Sequence, residues 1–198
     1  MPIMKDITEL LRFNALLQQF RTIERTILVN GTDRCENDAE HCFMLAMLAW
    51  NIVQTNNLSL DMNKIFRYCL AHDLVEAYAG DMSLYDQQSS QAKQAKVARE
   101  HAAAERLRNE FPQFAELHES IVEYEKKEDP ESRFVYALDK LHPVLNIYAD
   151  GGRTWRKNKT TLQMIIDAKA SKVAIDPTVA AYFAEMIEMI KREEARLF

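Results

Sequence analysis

Apolar side chains recur at helical spacing along most of the chain, and this periodicity is the feature that most constrains the fold. A first helix is expected from Ile7 to Gln19, where apolar residues crowd one broad face. They are Leu10, Leu11, Phe13, Leu16 and Leu17, with Phe20 directly after the segment. No stretch shows sustained period-two alternation with β-branched residues, so the sequence predicts no sheet. The expected fold class is all-α.

Composition supports one helical domain. With 198 residues and 47% hydrophobic side chains, the chain can bury a sizeable core. Only four Gly and five Pro are available for tight turns, and residues that favour helices abound. We therefore expect a single domain, residues 1–198, in which seven or eight helices pack as a bundle.

Charge and cysteine content indicate which kinds of binding partner and which cell compartment to expect. The formal net charge of -5 argues against a general nucleic-acid binder, because such proteins depend on neutralising phosphates. No apolar run approaches the length of a membrane span, and the first residues contain no signal-peptide hydrophobic core. Three cysteines without CxxC spacing favour a reducing compartment. We expect a cytoplasmic protein that binds neither nucleic acid nor a membrane.

Capping and breaking residues indicate where the most informative helices lie. These helices are expected from about Ala39 to Thr55, from Asp61 to Tyr78 and from Pro130 to Tyr148. Asn37 or Asp38 can cap the first of them. A proline in the first turn suits the start of the third.

An imidazole and a carboxylate, His72 and Asp73, occupy adjacent positions in the second of these helices. Burying both groups is costly unless something pairs with them, and a divalent cation is a good candidate. Glu76 lies one helical turn further along, and Asp81 follows the expected helix stop at Gly80. The pair is therefore the middle of a candidate one-metal site.

Two distant residues can converge on this pair if their helices pack together. His41 falls in the first turn of its helix, and Asp139 lies inside the helix that begins at Pro130. Two imidazole nitrogens and two carboxylate oxygens suit Mn, Co, Fe, Ni or Zn. Such a metal activates water and neutralises phosphate charge. Glu76 and Asp81 can then exchange protons with the attacking water or the leaving oxygen.

Each of these residues also has a structural interpretation. His41 can be an ordinary first-turn histidine, and Glu76 can be a surface carboxylate. Asp139 can pair with Lys140 or Arg133. Judged singly, each residue is therefore weak support for a site, since structural ion pairs also occupy clefts.

Two further segments allow more than one interpretation. The basic stretch from Arg153 to Lys159 can hold a phosphate, although a short charge run is more often a solvated loop. The Met and Leu residues from Met44 to Leu48 are interpreted as an ordinary core stripe.

The order and separation of the motifs resemble those of the HD superfamily of metal-dependent phosphohydrolases. The matching motifs are Ala39-Glu40-His41, His72-Asp73 and Ala137-Leu138-Asp139. More narrowly, His72-Asp73-Leu74-Val75-Glu76 with Gly80-Asp81 resembles the subgroup of bacterial 5′-deoxynucleotidases and their small uncharacterised relatives. The resemblance covers most of the chain.

The resemblance implies roles for the motif residues, an all-helical fold, one divalent metal and commonly a homodimer. The metal ligands would be His41, His72, Asp73 and Asp139. Mn, Co, Fe, Ni, Mg and Zn remain open as the ion. Glu76 would be the catalytic carboxylate, and Asp81 would orient the substrate or protonate the leaving group. A phosphate-binding arginine is expected after the first helix, with Arg21 the best match and Arg25 its rival.

The chain departs from those nucleotidases at positions tied to nucleotide selection. They carry a Trp after the arginine and a Thr-Pro segment after Gly-Asp, where this chain has Thr22 and Met82-Ser83-Leu84-Tyr85. The expected function is a metal-dependent phosphohydrolase that removes phosphate from deoxyribonucleoside 5′-monophosphates by attack of a metal-bound water. The alternatives are hydrolysis of deoxynucleoside triphosphates or another phosphate ester, and a non-catalytic metal- or nucleotide-binding helical module.

Overall fold

A computed structural model describes residues 7–80 and 90–198, which form helices and one two-stranded sheet. Within these two ranges, eight helices have ten or more residues: α1 (Ile7–Phe20), α2 (Asp38–Thr55), α3 (Met62–Ala71), α5 (Ser90–Glu110), α6 (Ala115–Lys126), α7 (Pro130–Ala149), α9 (Leu162–Val173) and α10 (Pro177–Arg192). Three are short: α4 (Glu76–Ala79), α8 (Arg153–Lys157) and α11 (Glu194–Leu197). The strands are β1 (Glu24–Leu28) and β2 (Cys35–Asn37). The prediction of an all-α fold is confirmed; where seven or eight helices were expected, the described residues form eight long helices and three short ones.

The connection between α1 and α2 contains a β-hairpin, so the prediction of no sheet is wrong at this place. β1 and β2 pair antiparallel, with Glu24 opposite Asn37 and Leu28 opposite Cys35. The loop between them carries Asn30-Gly31, a dipeptide typical of hairpin turns. Alternation failed to reveal the strands because they have only five and three residues.

α7 is the central helix of the molecule. It contacts α2, α3, α6, α9 and α10 as well as β1. Asp129 caps its first turn by accepting a hydrogen bond from the Ser132 N–H, and Pro130 occupies the first helical position. Its buried apolar side chains form the middle of the main core: Phe134, Val135, Ala137, Leu138, Leu141, Val144 and Ile147. Asp139 is therefore held on the most thoroughly packed helix of the fold.

A second apolar cluster joins α1 to α5 and α6. Its buried members include Leu16, Phe20, Leu107, Phe111, Leu117 and Ile121. Among the helices that the structure describes, none has the length and apolar character needed to cross a membrane.

The helix expected from Asp61 to Tyr78 is interrupted at the two residues of greatest interest. α3 ends at Ala71, and residues 72–75 form turns before α4 begins. A short-range hydrogen bond of 2.8 Å from the Glu76 N–H to the Asp73 carbonyl oxygen closes this turn. His72 and Asp73 thus lie just beyond a helix end, and the prediction of one continuous helix is wrong.

The basic stretch after α7 begins with a short helix, so the predicted loop is wrong for its first part. Arg153 forms ion pairs with Asp150 at 2.8 Å and with Asp33 at 3.1 Å. Arg156 donates a hydrogen bond to the backbone carbonyl oxygen of Arg196 at 3.0 Å. These contacts tie the end of α7 to the hairpin loop and to α11, which is a structural role.

The methionines of α2, interpreted from the sequence as core, lie on its outer side. Leu45 is fully buried, but Met44 and Met47 are 44% and 47% exposed. Phe43 and Trp50 are exposed beside them. We call these four exposed residues the α2 face.

A substitution at Gly152 tests how closely residues near the chain end pack against the end of α7. Its φ is 80°, and an added Cβ would overlap the backbone carbonyl of Leu197. Gly152→Ala should lower the free energy of unfolding by roughly 3 kcal/mol, because the clash adds to the backbone strain. Gly31→Ala is the matched control: its φ is 73° but nothing lies within 4 Å of the added Cβ. Urea unfolding should show a smaller loss for the control, and equal losses would contradict the packing argument.

Candidate metal centre

A capping box sets the start of α2 and so the position of His41. The Asn37 side chain accepts a hydrogen bond from the Glu40 N–H at 3.0 Å, and the Glu40 carboxylate accepts one from the Asn37 N–H at 3.1 Å. His41 therefore lies in the first helical turn, as predicted, and is fully buried.

A buried tyrosine ties α3 to α7 and so sets the distance between their motifs. The Tyr68 hydroxyl lies 2.9 Å from the Asp129 carboxylate and 3.0 Å from that of Glu123. Asp129 is also the cap of α7. One turn after Tyr68, the backbone N–H of His72 donates to the Tyr68 carbonyl oxygen at 3.0 Å. The end of α3 is thereby fixed against the start of α7.

Four side chains from separate parts of the chain meet at one buried point. The Nε2 atom of His41 lies 3.1 Å from Asp139 Oδ1 and 3.8 Å from Asp73 Oδ2. The Nε2 atom of His72 lies 3.2 Å from Asp73 Oδ2 and 3.9 Å from Asp139 Oδ1. Three of these side chains are at most 5% exposed, and that of Asp73 is 17% exposed. We call these four residues the His-Asp cluster.

The donors of the His-Asp cluster fit a divalent metal. His72 Nδ1 lies 3.1 Å from the Cys69 carbonyl oxygen, to which it donates, so Nε2 faces the carboxylates. That Nε2 is buried, and its 3.2 Å contact with Asp73 Oδ2 does not have hydrogen-bond geometry, so among the described residues it has no hydrogen-bond partner. Donor atoms of His41, His72 and Asp73 lie within 4.8 Å of one another, and Asp139 adds a fourth. Imidazole nitrogens with carboxylate oxygens suit a transition metal or zinc.

The buried charges shift one another's pKa values strongly. Burial alone lowers the pKa of His72, but the adjacent Asp73 carboxylate raises it well above its ordinary value. Burial alone raises the pKa of Asp139, but the charges of Lys140 and the two imidazoles hold it well below its ordinary value. The carboxylates therefore stay ionised and attract a cation to the space between them.

The β-hairpin brings Arg25 to the His-Asp cluster, whereas Arg21 stays outside it. Arg25 Nη1 donates hydrogen bonds to Asp73 at 2.9 Å and to Asp38 at 3.1 Å. Arg21 is exposed and donates to Gln18 within the end of α1. Of the two arginines considered from the sequence, the structure places only Arg25 beside the motif residues.

Two acidic residues before His41 join the site without having been predicted. Asp38 is fully buried, and Glu36 lies 3.7 Å from Arg25 Nε and 3.9 Å from His41 Nδ1. Burial raises the pKa of Glu36 to about 7. Their position directly before the motif Ala39-Glu40-His41 was the only signal in the sequence.

Of the two predicted catalytic carboxylates, Glu76 and Asp81, the structure describes only Glu76. Glu76 begins α4 and is buried, and its carboxylate lies within 4.8 Å of carboxylate oxygens of Asp38 and Asp73. It is thus next to the His-Asp cluster without being one of its four members. Asp81 lies outside the described residues.

A cavity of about 910 Å³ opens beside the cluster, a volume that suits a small-molecule ligand. Its wall includes His72, Asp73, Glu76 and Asp139. The wall also carries five lysines: Lys126, Lys127, Lys140, Lys169 and Lys172. The candidate metal-binding groups and a set of cationic side chains therefore face the same space.

Comparisons with known proteins agree with this geometry. A sequence model of the HD domain family matches residues 17–178. 5′-Deoxynucleotidase HDDC2 of Mus musculus is 30% identical over 139 residues, covering 69% of this chain and 67% of the relative. 5′-Deoxynucleotidase hdd1 of Schizosaccharomyces pombe is 24% identical over 138 residues, covering 67% of each chain.

Solved structures share the fold. A predicted metal-dependent phosphohydrolase from Magnetospirillum magnetotacticum has a TM-score of 0.80 at 28% identity, with 95% of this chain and 96% of that chain covered. A conserved hypothetical protein from Pyrococcus furiosus has a TM-score of 0.62 at 21% identity, covering 92% and 99%. The second likeness is one of fold alone.

Replacing Arg25 should be far more costly than replacing Arg21. Arg25→Met leaves the buried carboxylates of Asp38 and Asp73 without their cation, so the free energy of unfolding should fall by roughly 3 kcal/mol. Arg21→Met removes one exposed hydrogen bond and should change it by less than about 0.5 kcal/mol. Urea unfolding of both variants measures the difference. Equal losses would show that the Arg25 ion pairs do not stabilise the fold.

Proposed function

The chain belongs to the HD domain family, and on that premise we propose that it removes phosphate from deoxyribonucleoside 5′-monophosphates. The observation that carries the proposal is the His-Asp cluster, buried at the wall of a cavity large enough for a nucleotide. Relatives named 5′-deoxynucleotidases in a mammal and a yeast support this substrate class.

One divalent ion would be held by the His-Asp cluster. The support is the donor chemistry: two imidazole nitrogens and two ionised carboxylates meet at a buried point. When bound, such an ion lowers the pKa of water and offsets the charge of a phosphate. The donor set leaves Mn, Co, Fe, Ni, Mg and Zn open.

Glu76 would act as the general base. Its carboxylate is buried beside Asp73 and lines the cavity, so it is placed to take a proton from an attacking water. The water oxygen forms a bond to phosphorus as the bond to the nucleoside 5′-oxygen breaks. That leaving oxygen needs a proton, and the sequence resemblance supports Asp81 as its donor.

Arg25, rather than Arg21, would contact the phosphate. Its guanidinium already lies against Asp73 at the cavity wall, and a planar guanidinium suits the oxygens of a phosphate. Its ion pair with Asp73 also keeps that carboxylate ionised. Arg21 has no comparable support, because it is exposed and donates its hydrogen bond to Gln18 of α1.

His142 would orient His41 as a positioning residue. The two rings stack with their centroids 5.0 Å apart, and their Nδ1 atoms lie 3.2 Å apart. One of these Nδ1 atoms must donate to the other. Burial and the charge of His41 lower the pKa of His142 to about 3, so the His142 ring is neutral. With His41 Nδ1 as the donor, His41 Nε2 has a free lone pair and could bind the ion beside Asp139.

The chain would function as one HD-type domain, residues 1–198, in the cytoplasm. The family match over residues 17–178 supports the single domain. Cys35, Cys42 and Cys69 are all free thiols, which suits a reducing compartment. The net charge of -5 supports a small phosphorylated substrate rather than a nucleic acid.

Glu76→Gln should separate catalysis from metal binding. We expect kcat for phosphate release to fall by roughly 100-fold or more, because the base is lost, while metal per chain is unchanged. The assay compares nucleoside mono-, di- and triphosphates with Mn, Co, Ni, Mg or Zn, and measures metal content by mass spectrometry. Glu188→Gln, an exposed glutamate of α10, is the control and should behave as wild type.

Several outcomes would contradict these assignments. Unchanged turnover in Glu76→Gln would remove Glu76 as the base. A preference for triphosphates would support the alternative substrate. Hydrolysis of no phosphate ester by the metal-loaded wild type would support the non-catalytic binding module.

A homodimer would bury the α2 face against the same face of a second copy. Four large apolar side chains are exposed together there, an arrangement that suits a twofold interface. Trp50→Glu should then yield a monomer of 23.0 kDa, whereas Met189→Glu on the exposed side of α10 should leave the dimer intact. Light scattering after size-exclusion chromatography measures both. A monomeric wild type would refute the dimer.

A further inference from the structure

Lys169, on α9, is a buried lysine in the wall of the large cavity. It is 8% exposed and shares that cavity with Asp73 and Asp139. Among the residues whose side chains the structure describes, Lys169 has no hydrogen-bond or ion-pair partner. Burying an ammonium group without a partner is costly, so packing alone does not account for a lysine at this position.

Positive charge is concentrated around Lys169. Lys172 lies three residues further on the same helix, and Lys140 reaches the same cavity from α7. Burial first, then the charges of Lys140, Lys172 and Arg25, lower the pKa of Lys169 to about 8, and Asp139 opposes them. An anion in the cavity would relieve this repulsion and give Lys169 a partner.

We propose that Lys169 is a substrate-binding residue whose ammonium group contacts a phosphate oxygen of the substrate. The proposal rests on the proposed function, because the cavity that would hold the phosphate beside the His-Asp cluster is the cavity that Lys169 lines. It adds a contact from α9, which none of the sequence motifs includes.

A structural lysine and a phosphate-binding lysine respond differently to Lys169→Met. Methionine has a similar length and carries no charge, so the variant removes a buried ammonium and should be at least as stable as wild type. Phosphate affinity should nevertheless fall by tenfold or more, because a charge-assisted hydrogen bond is lost. If Lys169 only packed, the variant would keep both its stability and its phosphate affinity.

The experiment is calorimetric titration of the metal-loaded full chain with three ligands. They are inorganic phosphate, a deoxyribonucleoside 5′-monophosphate and the uncharged deoxyribonucleoside. The monophosphate is titrated in the Glu76→Gln background, where turnover is suppressed. Lys169→Met should weaken binding of the two phosphates at least tenfold and leave nucleoside binding unchanged. Lys191→Met, at an exposed lysine of α10, is the matched control and should leave all three affinities unchanged. Wild-type phosphate affinity in Lys169→Met would overturn the proposal.

A second variant uses the titration of the ammonium group. An amine binds phosphate only when protonated, so wild-type phosphate affinity should fall as the pH rises through about 8. Lys169→Arg keeps its charge at all these pH values, so it should bind phosphate and lose that pH dependence. An identical pH profile for wild type and Lys169→Arg would also overturn the proposal. Phosphate binding is measured without turnover, so its failure is distinct from failure of the hydrolase assignment.

Discussion

The mutual compensation of charge in the His-Asp cluster is the interaction on which the rest of the structure depends. Asp73 and Asp139 are buried carboxylates that would be costly to hold alone. Each is kept ionised by an imidazole within 3.2 Å and by a basic side chain, Arg25 or Lys140. These contacts require the start of α2, the end of α3, the middle of α7 and the hairpin to meet at one point. The core around α7 supplies the packing that makes this meeting possible.

The cavity combines two opposite electrostatic tendencies, and together they suit phosphate chemistry. The carboxylates of the His-Asp cluster attract a cation, while Arg25, Lys140 and Lys169 attract an anion. A substrate phosphate and a divalent ion bound side by side would satisfy both sets of groups. On the proposed function, Lys140 of α7 and Lys169 of α9 belong to the substrate site.

Local sequence signals predicted the fold where they act over a few residues. The capping box at Asn37, the cap at Asp61 and the first-turn proline at Pro130 all open helices where expected. The hairpin was missed because its strands are shorter than the window over which alternation can be recognised. The break after Ala71 was missed because residues 72–75 keep a helical composition while their hydrogen bonds follow a tighter turn.

The sequence by itself determined the helical class and the chemical types at the site, since periodicity, caps and the motifs around His41, His72 and Asp139 can be identified along the chain. Only the tertiary structure shows which of Arg21 and Arg25 lies beside the His-Asp cluster, because the hairpin turns the Arg25 guanidinium inward and Arg21 stays exposed. It also brought Lys169 to the cavity wall from a distant helix. Both outcomes depend on which elements pack around α7, and no residue spacing encodes that directly.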